Sequence, residues 1–178
     1  MDADDLPDDH DARDADAPPP DVPGEVLLGD TIALLDPAEP ICLPASATVA
    51  EAIERMLARR QAGVLVVDCA GRLTGIFTER DVLTRVVGAG RDPAGTHLEA
   101  VMTRDPEALR PGHRIAYAIH CMSVAGYRTV PLVDEAGRPT GVVTSSDVIR
   151  WLGGLFPEAV LNLPPGGLLK HPQQIDAG

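Results

Sequence analysis

The chain has 178 residues, 44% of them hydrophobic but only 3% aromatic, which suits one or two small domains with an aliphatic, alanine-rich core. Its net charge of −12 resides in the first 39 residues, where 13 Asp and Glu stand against Arg13 alone, and the remainder is neutral. A neutral body excludes the basic surface of a nucleic-acid binder, and no apolar run approaches the roughly 20 residues of a membrane span.

In chain order, residues 1–24 are Asp, Ala and Pro with almost nothing large and apolar, and they read as a disordered acidic tail. They show neither the basic start nor the apolar stretch of a signal peptide. From Val26 to Leu35 a short apolar patch can dock on the body before Pro37 and Pro40 break the chain. Then comes a short extended piece, Ile41–Leu43. In the next segment Val49, Ala52, Ile53, Met56 and Leu57 fall at helical spacing behind a Thr48–Glu51 capping box. Val64 to Val67 reads as a buried strand, Asp68 to Gly71 as a turn with Gly71 at positive φ, and Leu73–Phe77 as the return strand. A second helix follows Thr78 with Val82, Leu83, Val86 and Val87 apolar, and stops at Gly88. The linker Gly88 to His97 precedes a helical turn, Leu98–Met102.

The same parse then repeats. Residues 43–83 align with 109–149 at a shift of 66 without a gap, and 16 of the 41 positions are identical. The second stripe is Ile115, Ala118, Ile119 and Met122, with Gly126 as its stop, and the last helix is expected from Ser145 to Leu152, ending at Gly153-Gly154. Each copy is a β-α-β-β-α unit with too little core of its own. The fold class is therefore α/β (α+β), two tandem units that stack and share a core. The boundaries are 1–37 for the acidic tail with its docking segment, 38–97 for the first domain, 98–155 for the second, and 156–178 for a proline-punctuated strap and tail.

One phrase ends the strand pair in both copies: Gly75-Ile-Phe-Thr78-Glu-Arg80-Asp81 and Gly141-Val-Val-Thr144-Ser-Ser146-Asp147. Thr at a helix N-cap and Asp three residues later can be a plain cap. The same carboxylate can also accept hydrogen bonds from both hydroxyls of a ribose, with neighbouring N–H groups open to a phosphate and the glycine leaving room for close approach. Both readings stand on the residues alone.

Gly63-Val-Leu-Val-Val-Asp68 with Gly75 to Asp81, and Tyr127-Arg-Thr-Val-Pro-Leu-Val-Asp134 with Gly141 to Asp147, resemble the CBS domain, named after cystathionine β-synthase. The resemblance covers roughly residues 40–153 and implies a pseudo-twofold CBS pair, or Bateman module. It implies two clefts between the sheets that take adenosine-containing ligands (AMP, ADP, ATP, in some members S-adenosylmethionine or NAD), and a homodimer. Carried over position by position, it implies a ligand set of Thr78, Arg80 and Asp81 in one cleft and Thr144, Ser146 and Asp147 in the other. Ala62, Gly63, Arg128 and Thr129 would line base and phosphate, with Val64, Val130 and Pro131 against the purine. Arg80 and Arg128 are the phosphate candidates, and Ala47 and His113 precede the first helix of each copy.

No P-loop, nucleophile elbow or metal-ligand spacing is present, so no catalytic or metal-binding residue is expected and no cofactor is required. Cys42, Cys69 and Cys121 read as reduced thiols in a cytoplasmic protein, and 14 Arg against one Lys point to a bacterial, GC-rich source. The functional expectation is a non-enzymatic sensor that binds an adenine nucleotide and acts on an effector protein in trans. The alternative is a ligand-free dimerisation and interaction module in which the Thr-x-x-Asp pairs only cap helices.

Overall fold

The structure is a computed structural model and describes residues 29–155. The expectations for the acidic tail up to residue 28, for Val26 to Leu28, and for the strap 156–178 lie outside the described residues. The first copy is β1 (Cys42–Pro44), α1 (Val49–Arg59), β2 (Gly63–Val67), β3 (Leu73–Thr78) and α2 (Glu79–Asp81), which continues as a π-helical turn Val82–Val87. A 3-10 turn Leu98–Ala100 and β4 (Thr103–Arg104) follow. The second copy is α3 (Ile115–Ala125), β5 (Thr129–Val133), β6 (Pro139–Thr144) and α4 (Ser145–Leu155). The chain thus forms the expected mixed α/β pair of repeats.

Local signals account for most of the element ends. Thr48 accepts a hydrogen bond from the Glu51 N–H at 3.2 Å and starts α1. Gly126, at φ 70°, ends α3. In both hairpins an Asx turn closes the loop. Asp68 Oδ1 accepts from the N–H groups of Ala70 and Arg72 at 2.9 and 2.8 Å, and Asp134 Oδ1 accepts from Ala136 and Arg138, both at 2.8 Å. Gly71 and Gly137 supply the positive φ, 76° and 77°.

Two helix ends differ from expectation. α4 runs through Gly153 and Gly154 to Leu155. Glycine in a helix costs about 1 kcal/mol against alanine, but Trp151 and Leu152 pack on the second core, and Trp151 Nε1 donates to Asp30 Oδ2 at 3.1 Å. The helix after Thr78 is α-helical for one turn only. Thr84 Oγ1 donates to the Arg80 carbonyl at 2.7 Å, and the ladder shifts so that Gly88 N–H reaches Leu83 O at 2.9 Å. That turn buries Val86 and leaves Leu83 and Val87 exposed.

The first sheet has the order β1-β2-β3-β4, with β1 parallel to β2 and the other pairs antiparallel. The second is the β5–β6 hairpin, flanked by single bridges Leu109↔Leu132 and Ala38↔Val142. Val64, Val66 and Phe77 enter the first core, while Leu65 and Ile76 point to the opposite face and meet Val142 of the second copy. Strands covered on both faces explain the continuous aliphatic runs.

Each core is closed by a segment that precedes the other copy. Leu98, Val101 and Met102, which the sequence groups with the second copy, fill the first core. Ile32 and Leu35, which precede the first copy, fill the second. The backbone bonds match at the 66-residue shift. Val49 N–H donates to Thr96 O at 2.9 Å and Ile115 N–H to Asp30 O at 3.0 Å, while Leu98 N–H donates to Ala47 O at 2.9 Å and Ile32 N–H to His113 O at 2.8 Å. The repeat therefore extends back to residue 30.

The motif glycines exist for this crossing. A Cβ on Gly75 would stand 2.5 Å from Met102 Sδ and 3.1 Å from the Thr103 carbonyl, and one on Gly141 would stand 3.1 Å from Pro37 Cβ. At both glycines the room left by the missing Cβ is taken by the crossing chain.

Two outcomes follow for urea denaturation. Ile32→Ala empties a fully buried site in the second core and should lower stability by about 2–5 kcal/mol. Gly75→Ala should cost about 1–3 kcal/mol by forcing Met102 and the Thr103 backbone aside, and Gly141→Ala, with looser neighbours, should cost less.

Candidate functional site

The start of α2 and the start of β5 face each other across a cleft of about 870 Å³, within the roughly 300–1,000 Å³ of small-molecule sites. The first copy contributes Ala62, Ile76, Thr78, Glu79, Arg80, Asp81, Leu83, Thr84 and Arg85. The connector adds Thr103, Pro106 and Glu107, and the second copy adds Gly126, Tyr127, Arg128, Thr129 and Pro131. The cleft is therefore built from the helix start of one copy and the strand start of the other.

Among the described residues, Asp81 is the one charged residue whose side chain is buried. Its Oδ2 accepts from the Thr78 N–H at 2.9 Å and from Thr78 Oγ1 at 2.8 Å, and its Oδ1 lies 3.2 Å from Arg85 Nε. Asp147 repeats this: Oδ2 accepts from the Thr144 N–H at 2.8 Å and Oγ1 at 2.7 Å, and Oδ1 accepts from Arg150 Nη1 at 3.1 Å. In both copies the carboxylate folds back on the threonine, so the cap is real in each.

Two N–H groups at each helix start already have partners within the same copy. Thr78 N–H is held by Asp81, and Glu79 N–H donates to Ala62 O at 3.0 Å. In the second copy Ser145 N–H donates to Arg128 O at 3.0 Å. These bonds tie each helix start to the residue before its own copy's central strand. Arg80 and Arg128 both line the cleft, and neither guanidinium is engaged by another described residue. Glu79 and Glu107 oppose them, so the lining holds three arginines and three carboxylates.

Of the twelve residues expected to bind ligand, Ala62, Thr78, Arg80, Asp81, Arg128 and Thr129 line this one cleft. Thr144, Ser146 and Asp147 stand at the start of α4, outside its lining. Gly63 makes room for the end of β3, since a Cβ there would lie 3.0 Å from Phe77 O. Val64 and Val130 are both 0% exposed, because strand alternation turns them into the two cores. Pro131 and Ile76, on the opposite strand faces, supply the apolar wall. The sequence reading missed Tyr127, Arg85 and the connector. Tyr127 sits beside Arg128, and Arg85 lies one helical turn beyond Asp81, so spacing could have marked both.

Nothing else in the described region competes chemically. Burial pushes the Cys121 thiol up from its ordinary value, and a hydrogen bond to Glu107 adds to the shift. Among the described residues no group of three or more His, Cys, Asp or Glu is placed to hold a metal ion, and no helix is long and apolar enough to cross a membrane. His113 and His120 are exposed and Ala47 is buried.

Comparison with known proteins agrees with this architecture. The chain is 34% identical over 116 residues to the meiotically up-regulated gene 70 protein of Schizosaccharomyces pombe, which covers 65% of this chain and 16% of that one. It is 33% identical over 113 residues to an uncharacterized protein of Methanocaldococcus jannaschii, covering 64% and 39%. It thus spans well under half the length of these relatives. Among solved structures, the CBS domain pair of protein MJ0100 in complex with 5′-methylthioadenosine and S-adenosyl-L-methionine superposes with a TM-score of 0.63 at 25% identity, over 70% of this chain and 96% of that one. A CBS domain protein from Pyrobaculum aerophilum complexed with AMP gives 0.61 at 22% identity, over 66% and 88%. The CBS domain family matches residues 35–88 and 98–154, more than half of the sequence, and the chain belongs to that family.

Proposed function

We propose that this protein is a regulatory sensor that binds an adenine nucleotide (AMP, ADP or ATP) in the cleft between its repeats and acts on a partner protein. One observation carries the reading: the cleft brings Asp81, a buried carboxylate beside Thr78, together with two unengaged guanidiniums, Arg80 and Arg128, and an apolar wall of Ile76 and Pro131. A carboxylate for ribose hydroxyls, arginines for phosphate and apolar side chains for a base are the three recognition elements of a nucleotide. Tyr127 adds an aromatic face. That the MJ0100 pair and the Pyrobaculum protein hold adenosine ligands supports the same class of ligand.

The second copy's Thr144, Ser146 and Asp147 would serve the companion cleft, where Ser146 in place of Arg80 removes a phosphate contact. Gly63, next to Ala62, would act only by letting the strand end approach closely. Leu57 on α1, Leu83 and Val87 after α2, Val124 on α3 and Ile149 on α4 are exposed. Leu83 and Ile149 occupy equivalent positions of the repeat, and we assign these faces to a homodimer contact in a cytoplasmic protein. The ligand-free reading draws on one observation: the Asp81 and Asp147 carboxylates already have partners within their own copies.

Calorimetry and thermal shift with AMP, ADP, ATP, NAD and S-adenosylmethionine decide between the two. The sensor reading expects a stabilisation of about 2.7 kcal/mol at a ligand concentration of 100 Kd. Asp81→Ala should weaken binding at least about tenfold. The double change Arg80→Ala and Arg128→Ala should weaken AMP while leaving adenosine nearly unaffected. No shift with any ligand at millimolar concentration would establish the ligand-free module.

A further inference from the structure

We propose that Arg85 is an internal competitor for the Asp81 carboxylate, and that through its hydrogen bond to the Val101 carbonyl it couples occupancy of the cleft to the connector between the repeats. This rests on the nucleotide reading above, with Asp81 as the group that receives the ribose.

On Asp81 the Thr78 N–H and hydroxyl both donate to Oδ2. Oδ1 is the oxygen left for the two hydroxyls of a ribose, since each carboxylate oxygen offers about two lone pairs. The Arg85 guanidinium already stands against Oδ1 as an ion pair, with Nε at 3.2 Å. A ribose that engages Oδ1 fully must therefore displace the Arg85 guanidinium.

Arg85 is not free to leave without consequence. Its Nη1 donates to Val101 O at 2.8 Å. Val101 is buried in the first core, and the chain continues through Met102, which lies over Gly75, into Thr103, which lines the cleft. The guanidinium thus bridges the ribose-facing carboxylate and the connector that closes the first core.

The second copy lacks this bridge. Arg150 pairs with Asp147 Oδ1 at 3.1 Å, but its side chain is 73% exposed and makes no second hydrogen bond to a described residue. The repeat position equivalent to Arg85 is Trp151, whose bond goes to Asp30. Arg150 can swing into water when a ligand arrives, and Arg85 is held by two groups. The two copies therefore differ in linkage as well as in Arg80 against Ser146.

The test uses the full chain in an Asp147→Ala background, so that one cleft reports. Affinities for AMP, 2′-deoxy-AMP, adenosine and 2′-deoxyadenosine are measured by calorimetry, because the ribose-to-deoxyribose ratio cancels the effect of Arg85 on phosphate. With Arg85 present the ratio should stay within about threefold. Arg85→Met should raise it to about tenfold or more, the value of one charge-assisted hydrogen bond, for nucleotide and nucleoside alike. Arg85→Leu provides a second variant with the same expectation. A measurement on the unmutated chain needs no variant: AMP should change amide exchange at Met102, Thr103 and Arg104 more than 2′-deoxy-AMP does. Binding with an unchanged ratio, or with equal exchange for the two ligands, overturns the role of Arg85 and leaves the nucleotide reading intact. Absence of binding by every ligand overturns both.

Discussion

Neither repeat can close its own core, and this constraint shapes the rest of the molecule. The β-α-β-β-α unit leaves one end of its helix layer open. In the first copy that opening is filled by Leu98, Val101 and Met102, and in the second by Ile32 and Leu35. Both segments cross the strand that ends in the Thr-x-x-Asp phrase, over Gly75 in one copy and Gly141 in the other. Because the segment that closes the second copy precedes the first, the two copies are interlocked. Leu65, Ile76 and Val142 bind the two copies further, between the sheets.

That interlocking makes the cleft. The connector that leaves the first core at Met102 passes Thr103 and runs to Pro106 and Glu107, all along one wall or close behind it. The sheet contact sets Pro131 opposite Ile76, and so places the strand start of one copy against the helix start of the other. Arg80 and Arg128, 48 positions apart in the sequence, become neighbours in a shared site only through this arrangement. The N–H groups of Thr78 and Glu79 at the helix start are already bonded within the copy.

The repeated aspartate caps its helix with the same atoms that the proposed ribose contact would use. A cap of this kind is worth about 1 kcal/mol and holds the helix start in place with or without a ligand. It also fixes the orientation of a buried carboxylate toward the cleft, which lowers the ordering cost of any ligand that meets it. The cap and ribose readings of Thr-x-x-Asp are therefore compatible, and Arg85 marks where they compete.

Much of this was legible in the chain itself. The 66-residue shift, the Asx turns at Asp68 and Asp134, the capping Thr48, the stop at Gly126 and the aliphatic strands are local patterns, and a repeat can be read by comparing the chain with itself. Fold class followed from them, since a unit with too little core implies a second one. The sequence could not say which copy Ile32 and Leu98 complete, because an apolar residue carries no address and either core would accept it. It could not separate Val64 from Pro131, since a run buried on both faces shows no alternation. It could not show that Gly75 clears a crossing chain, or that Arg128 faces Arg80 and not its own copy's aspartate. Those are contacts between residues distant in the chain, and they are decided by how two closed cores fit together.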